Sequence, residues 1–156
     1  MIATSKLALM IVTVAAAIVS APARAGAQGG SVPINNSTFA KFTKASSNFA
    51  SYMKQHPGDA NLGDASYDNE TEAAKAICGP RPGVQQAIAA GGLTCIQWVT
   101  LTAELEKAGS AAAMVKSGQK VPSEFGVSPA DIDFYNRHTA EIKLALEEIS
   151  AGNETQ

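Results

Sequence analysis

Histidine, cysteine and tryptophan are nearly missing from this chain: two, two and one of them stand among 156 residues. Each scarcity removes a class of chemistry. Two histidines, His56 and His138, supply too few ligands for a four-coordinate zinc site. The cysteines, Cys78 and Cys95, are too far apart in sequence for a C-x-x-C redox pair, and C-x-x-C-H, the haem attachment pattern, is absent. There is no G-x-S-x-G elbow, no H-E-x-x-H and no glycine-rich phosphate loop. The nearest glycine cluster, Gly79-Pro80-Arg81-Pro82-Gly83, has prolines where such a loop needs backbone N–H donors. Basic residues are also too few for nucleic acid. With 12 Lys and Arg against 14 Asp and Glu, there is no cationic excess to displace phosphate counterions. Strands lack a signal too, because no stretch alternates apolar and polar residues, and no segment repeats.

What is present begins with Met1–Ala25. Lys6 precedes the apolar run Leu7–Val19, Pro22 breaks it, and Ala23-Arg24-Ala25 has the small-x-small form of a signal-peptidase site. The run is shorter than the ~20 residues a mature membrane span requires. A cleaved secretory signal is therefore expected, with no stable membrane anchor afterwards. Cleavage falls after Ala25 or, because Ala25-Gly26-Ala27 has the same form, after Ala27. Removal of Met1–Ala25 leaves 10 basic and 14 acidic residues, a net charge of −4. A periplasmic or extracellular location is oxidising, so Cys78 and Cys95 are expected to form a disulfide.

Residues 26–37 are glycine-rich and polar and read as a flexible leader. Ser37 is a candidate N-cap for a helix to about His56, whose stripe is Phe39, Phe42, Phe49 and Met53, with Ser46 in the gap. Pro57-Gly58 stops it. An acidic connection over 59–68 follows. Asp59, Asn61 and Glu70 occupy the first, third and twelfth places of the calcium-loop pattern, but Gly63 and Asp64 reverse its fifth and sixth, so an ordinary linker is expected. A short helix capped by Asp68 or Asn69, with Glu72 in capping-box spacing, ends at Cys78. Val84–Ala90 makes two further turns, closed by Gly91-Gly92. Thr94 caps a long helix carrying Trp98, Leu101, Leu105, Ala108, Ala112 and Val115, with Gly109 as a weak point inside it. Residues 119–127 are a loop. Ser128 and Pro129 then open a final helix to Gly152, with Ile132, Tyr135, Ile142, Leu146 and Ile149 on its buried stripe.

The expected fold is all-α: a compact antiparallel helical bundle of about four main helices plus a short one, in one domain over 38–151 with a frayed tail at 152–156. The Cys78–Cys95 bridge ties the end of the short helix to the start of the Trp98 helix.

Function is read more coarsely. The expected protein is an exported, non-catalytic binding or interaction domain, or a chaperone-like one, taking a small molecule or a protein, with no cofactor. Its groove would lie between the Trp98 helix and the final helix, near the bridge, with Trp98, Tyr135 and His138 lining it. One alternative is a metal- or haem-binding bundle using His138 and Glu141, three apart on one helix; another is a small hydrolase. The carboxylate pairs Glu104/Glu106 and Glu147/Glu148 fall at surface-like positions. Asn35, Asn36, Asn69 and Asn153 each begin an N-x-[ST] sequon; beside an alanine-rich signal of bacterial look, these are read as coincidence.

Overall fold

The computed structural model describes residues 32–59 and 67–153. The expected signal segment, most of the leader, Asn61, Gly63 and Asp64 of the acidic connection and the last three residues lie outside these. Six α-helices are described: α1 (Asn36–Gln55), α2 (Glu70–Cys78), α3 (Pro82–Ala90), α4 (Cys95–Lys116), α5 (Pro129–Arg137) and α6 (Thr139–Asn153), with 3-10 turns at Pro57–Asp59 and Ser123–Phe125. There is no strand among the described residues. The fold is all-α, a packed helical bundle.

Caps explain where the helices start. Asn69 accepts from the Glu72 amide at 3.0 Å to open α2. Thr94 and Gln97 form a reciprocal capping box on α4, and Ser128 and Asp131 form one on α5, with Pro129 at the first helical position. Each cap satisfies an otherwise orphaned amide. The first helix departs from expectation. Its N-cap is Asn35, two residues before Ser37, and Thr38 completes the box. The leader is also shorter than expected: Val32 is buried, Ile34 packs on the core, and the Thr38 hydroxyl donates to the Pro33 carbonyl at 2.6 Å. Two of the sequon asparagines, Asn35 and Asn69, thus have a structural use as helix caps.

The α1 stripe is the spine of the core. Phe42, Ser46, Phe49 and Met53 are fully buried, and Phe39 nearly so. Ser46 is the one buried polar residue among those described, and its place in an apolar stripe has a clear cause. The Trp98 indole N–H donates to its hydroxyl at 3.1 Å, while the Trp98 ring packs on Phe49 with centroids 5.0 Å apart. A buried indole N–H needs an acceptor, and the small hydroxyl supplies one without displacing the rings. Ser46→Ala is therefore expected to cost about 1–3 kcal/mol, the desolvation penalty of an unpaired buried donor. Equilibrium urea unfolding checks this; a loss below a few tenths would mean that water replaces the serine.

α2 and α3 lie against α4 and α1 respectively. The Cys78–Cys95 disulfide is present, with Cα atoms 6.5 Å apart, and joins the last residue of α2 to the first of α4. Between α2 and α3, Arg81 occupies the middle of the Gly-Pro-Arg-Pro-Gly run. Its guanidinium donates to the carbonyls of Ala76 and Ile77 at 3.0 and 3.1 Å and to that of Asp59 at 3.0 Å. It thereby satisfies carbonyls that the end of α2 leaves open. At the far end of α3, Gly91 permits a close approach of two backbones: a Cβ there would lie 2.4 Å from the Ala45 Cα on α1. No larger residue fits without separating α3 from α1.

α4 runs unbroken through Gly109, as expected, and the structure gives that glycine a role. The Tyr135 ring of α5 lies where its Cβ would project, 2.8 Å away. The stripe ends sooner than expected. Ala108, Ala111 and Ala112 are buried, but Val115 is 53% exposed, because the last turn of α4 reaches beyond its neighbours.

The final helix is not one helix but two. The chain breaks at His138 (φ −113°, ψ 18°), whose N–H is shared between the carbonyls of Phe134 and Tyr135 at 3.1 and 3.2 Å. The Thr139 hydroxyl binds the Tyr135 carbonyl at 2.8 Å, a side-chain bond that competes with the helical ladder. The bend lets α5 pack on α4 while α6 packs along α1 and barely touches α4. Burial follows the bend: Phe134, Ile142 and Ala145 are buried, whereas Ile132, Tyr135, Leu146 and Ile149 are only partly so.

Candidate functional site

Because α6 turns onto α1, an open groove forms along their seam. Its larger lobe, about 670 Å³, has Phe39 and Ala145 in its lining, with Thr43 and Lys44 from α1 and Glu141 and Glu148 from α6. A smaller lobe of about 250 Å³ continues it past Ala50 and Lys54 to Ala151. Ser47, Leu144 and Glu148 belong to both lobes. The early residues of α1 face the early residues of α6, and the late face the late, so the two helices run in the same direction. Leu144 stands between the lobes and is 59% exposed. An apolar side chain left in water at the centre of a concave seam is the informative feature here, since burial of a leucine contributes about 1.5–3 kcal/mol.

His138 closes one end of the groove. Its ring stacks on Phe134 with centroids 4.4 Å apart and lies 5.5 Å from Phe39. Nδ1 lies 2.6 Å from the Glu141 carboxylate; a carboxylate only accepts, so Nδ1 carries the proton and Nε2 is left as an acceptor or, in the imidazolium, a donor. Glu141 is the only side chain that His138 hydrogen-bonds among the described residues. Among the described residues, no hydroxyl or thiol is held against the imidazole as a nucleophile would be. The expected pairing of His138 with Glu141 is thus present, but it brings two donors, and no three His, Cys, Asp or Glu side chains gather around one point among the described residues.

The expected groove is placed differently. Trp98 does not line it but is 3% exposed in the core, held by Ser46 and Phe49. Tyr135 lies against Gly109 of α4. Of the three residues expected there, only His138 reaches the groove, which lies between α1 and α6 rather than between the Trp98 helix and the final helix. The bend at His138 is the reason. His56 caps α1 and stacks on Tyr52 at 4.1 Å, far along α1 from His138. The two described ends of the calcium-like loop are otherwise engaged: Asp59 accepts from the Tyr52 hydroxyl at 2.7 Å, and Glu70 lies 3.8 Å from Lys107.

The carboxylate pair on α4 also departs from expectation. Glu104 and Glu106 are both half-buried. Burial pushes the Glu106 carboxyl up to about 7 from an ordinary 4.5. Glu104 is raised as well, chiefly by burial, with Lys107 opposing and the charges of Asp131 and Glu70 adding. An acid whose folded pKa exceeds its unfolded value binds its proton more tightly when folded. Its contribution to stability is therefore complete below about pH 4.5 and is lost as pH rises through about 7. Glu106→Gln is expected to raise stability by about 1–3 kcal/mol near pH 8, with the gain shrinking to nothing near pH 4. Urea midpoints across that range check it; a gain that does not vary with pH would refute it.

No single described helix is long and apolar enough to cross a membrane. Compared with protein-family models, curated proteins and solved structures, the chain matches none.

Proposed function

We propose that the chain is an exported, non-catalytic binding or interaction protein of the periplasm or extracellular space, acting through the groove between α1 and α6. Leu144 carries this reading: it is 59% exposed at the junction of two lobes whose rims bear lysines on one side and glutamates on the other. Export is supported by the signal-like pattern of Met1–Ala25 and by the disulfide, which belongs to oxidising compartments. His138, hydrogen-bonded to Glu141, lies at one end of the groove. Such a ring shapes one end of a binding surface.

Two measurements test the reading. The intact mass of the exported protein is expected to begin at Gly26 and to gain two hydrogens on reduction. An apolar dye with a sulfonate head, anilinonaphthalene sulfonate, is expected to fluoresce on dilute wild type and to lose most of that signal with Leu144→Asp. Equal fluorescence from both proteins, with far-UV dichroism unchanged, would move the binding surface away from this groove.

A further inference from the structure

The rims of the groove differ in charge in a way that selects a partner. Lys44 and Lys54 line the α1 side, and Glu141, Glu147 and Glu148 line the α6 side. These lysines and glutamates do not pair with one another within the chain: the ion pairs among the described residues are Lys107–Glu70 and His138–Glu141. A surface with a cationic edge, an anionic edge and an exposed leucine between them is complementary to itself.

The symmetry of the contact then follows. Two copies meeting face to face are related by a two-fold axis lying in the plane of contact. If the axis runs across the groove, α1 of one copy meets α1 of the other and lysine faces lysine. If it runs along the groove, α1 of each copy meets α6 of the other at the same level. Lys44 then faces the partner's Glu141, Lys54 faces the partner's Glu147 and the partner's Glu148, and the two Leu144 side chains meet on the axis. Like charges brought together in an interface are costly, and opposite charges fix the register. Only the second arrangement uses all of these groups.

We propose that the occupant of the α1–α6 groove is a second copy of this chain, in a parallel dimer with its two-fold axis along the groove. The proposal rests on the reading of that groove as the interaction surface and names the partner. α6, with 15 residues, is about 22 Å long. A footprint two helices wide over that length sits at the small end of specific interfaces, near ~1,200 Å² in total, so the dimer is expected to dissociate on dilution.

Sedimentation velocity of the disulfide-bonded protein over a concentration series tests it. Wild type is expected to show a monomer–dimer equilibrium. Leu144→Lys is expected to raise the dissociation constant about tenfold or more, as expected for a charge placed at the centre of an apolar contact. A second experiment reads the geometry. The variants Lys54→Glu and Glu147→Lys/Glu148→Lys are each expected to be monomeric alone, because each sets like charge against like at the same level of the groove. Mixed in equal amounts they are expected to form a heterodimer, since the acidic faces of one meet the basic faces of the other. These rim substitutions lie on the groove surface, and far-UV dichroism reports whether each variant folds. Wild type that stays monomeric up to its solubility limit overturns the proposal, as does a dimer that Leu144→Lys leaves intact or variants that do not pair on mixing. The dye experiment is run on dilute protein and reads the groove separately. Dye binding by a strictly monomeric protein would refute the dimer and keep the binding surface.

Discussion

Phe49→Ala is expected to cost about 3–5 kcal/mol, read as a lower urea midpoint with an unchanged slope. Phe49 is fully buried at the middle of the α1 stripe, and its ring lies 5.0 Å from that of Trp98. Removal of the ring leaves a cavity that the surroundings are poorly able to fill. One turn earlier, Ser46 is held by the Trp98 indole, so Trp98 cannot slide into the space without breaking its hydrogen bond. Domains of this size have only about 5–15 kcal/mol of stability in all, and the loss should leave the protein partly unfolded at physiological temperature. Val115→Ala supplies the contrast. That residue is 53% exposed at the end of α4, and its truncation is expected to change stability by less than about 0.5 kcal/mol. Similar losses at both positions would mean that the core is not centred on the Phe49–Trp98 contact.

Removal of the disulfide has the second large effect. Cys78 and Cys95 are separated by 17 positions, and a closed loop of that order is worth roughly 3 kcal/mol through restriction of the unfolded chain. Cys78→Ala/Cys95→Ala is expected to lose about that much, and reductant should lower the midpoint of wild type but leave the double variant unchanged. The bridge closes a loop around α3, which α1 also holds at the tight Gly91–Ala45 approach. Without it, α3 is held by its packing on α1 and by the turns at its two ends. Amide exchange in α3 is therefore expected to rise before that in the Phe49–Trp98 core.

Much of the helical layout is legible in the sequence because its signals are local. The caps Asn69, Thr94 and Ser128 act within four residues of the helices they open, and the Phe39–Met53 stripe is a periodicity inside one helix. The disulfide is legible because the chain has only two cysteines. The break at His138 is not legible in the same way, since Tyr135–Thr139 contains neither glycine nor proline. What breaks the helix there is tertiary: α5 has its place on α4, α6 has its place on α1, and no straight helix satisfies both. The local traces are the Thr139 hydroxyl, which binds the Tyr135 carbonyl, and register. Phe134 and Ile142 are buried, while Tyr135, on the stripe expected of a straight helix, is only partly buried.

The site was hidden for the same reason. Trp98 draws attention as the sole tryptophan, yet an indole with a serine acceptor buried beside it is a core residue. Leu144 draws none, although a leucine off the stripe of an amphipathic helix is itself a signal that a second surface wants covering. Glu106 could not have been placed from sequence, because its pKa depends on how closely neighbouring helices crowd that face of α4.

The pairing of α1 with α6 has a consequence for how the chain reaches its fold. Phe39 and His138, in ring contact, are roughly 100 residues apart in sequence, a separation that slows folding. As the polypeptide leaves the ribosome, α1 is made early, and the apolar edge that α6 will cover stays open until α6 itself has been synthesised. α6 acts as a latch on α1. A protein built this way cannot bury that edge of α1 piecemeal from its N-terminal side, and the seam closes only once α6 has been made.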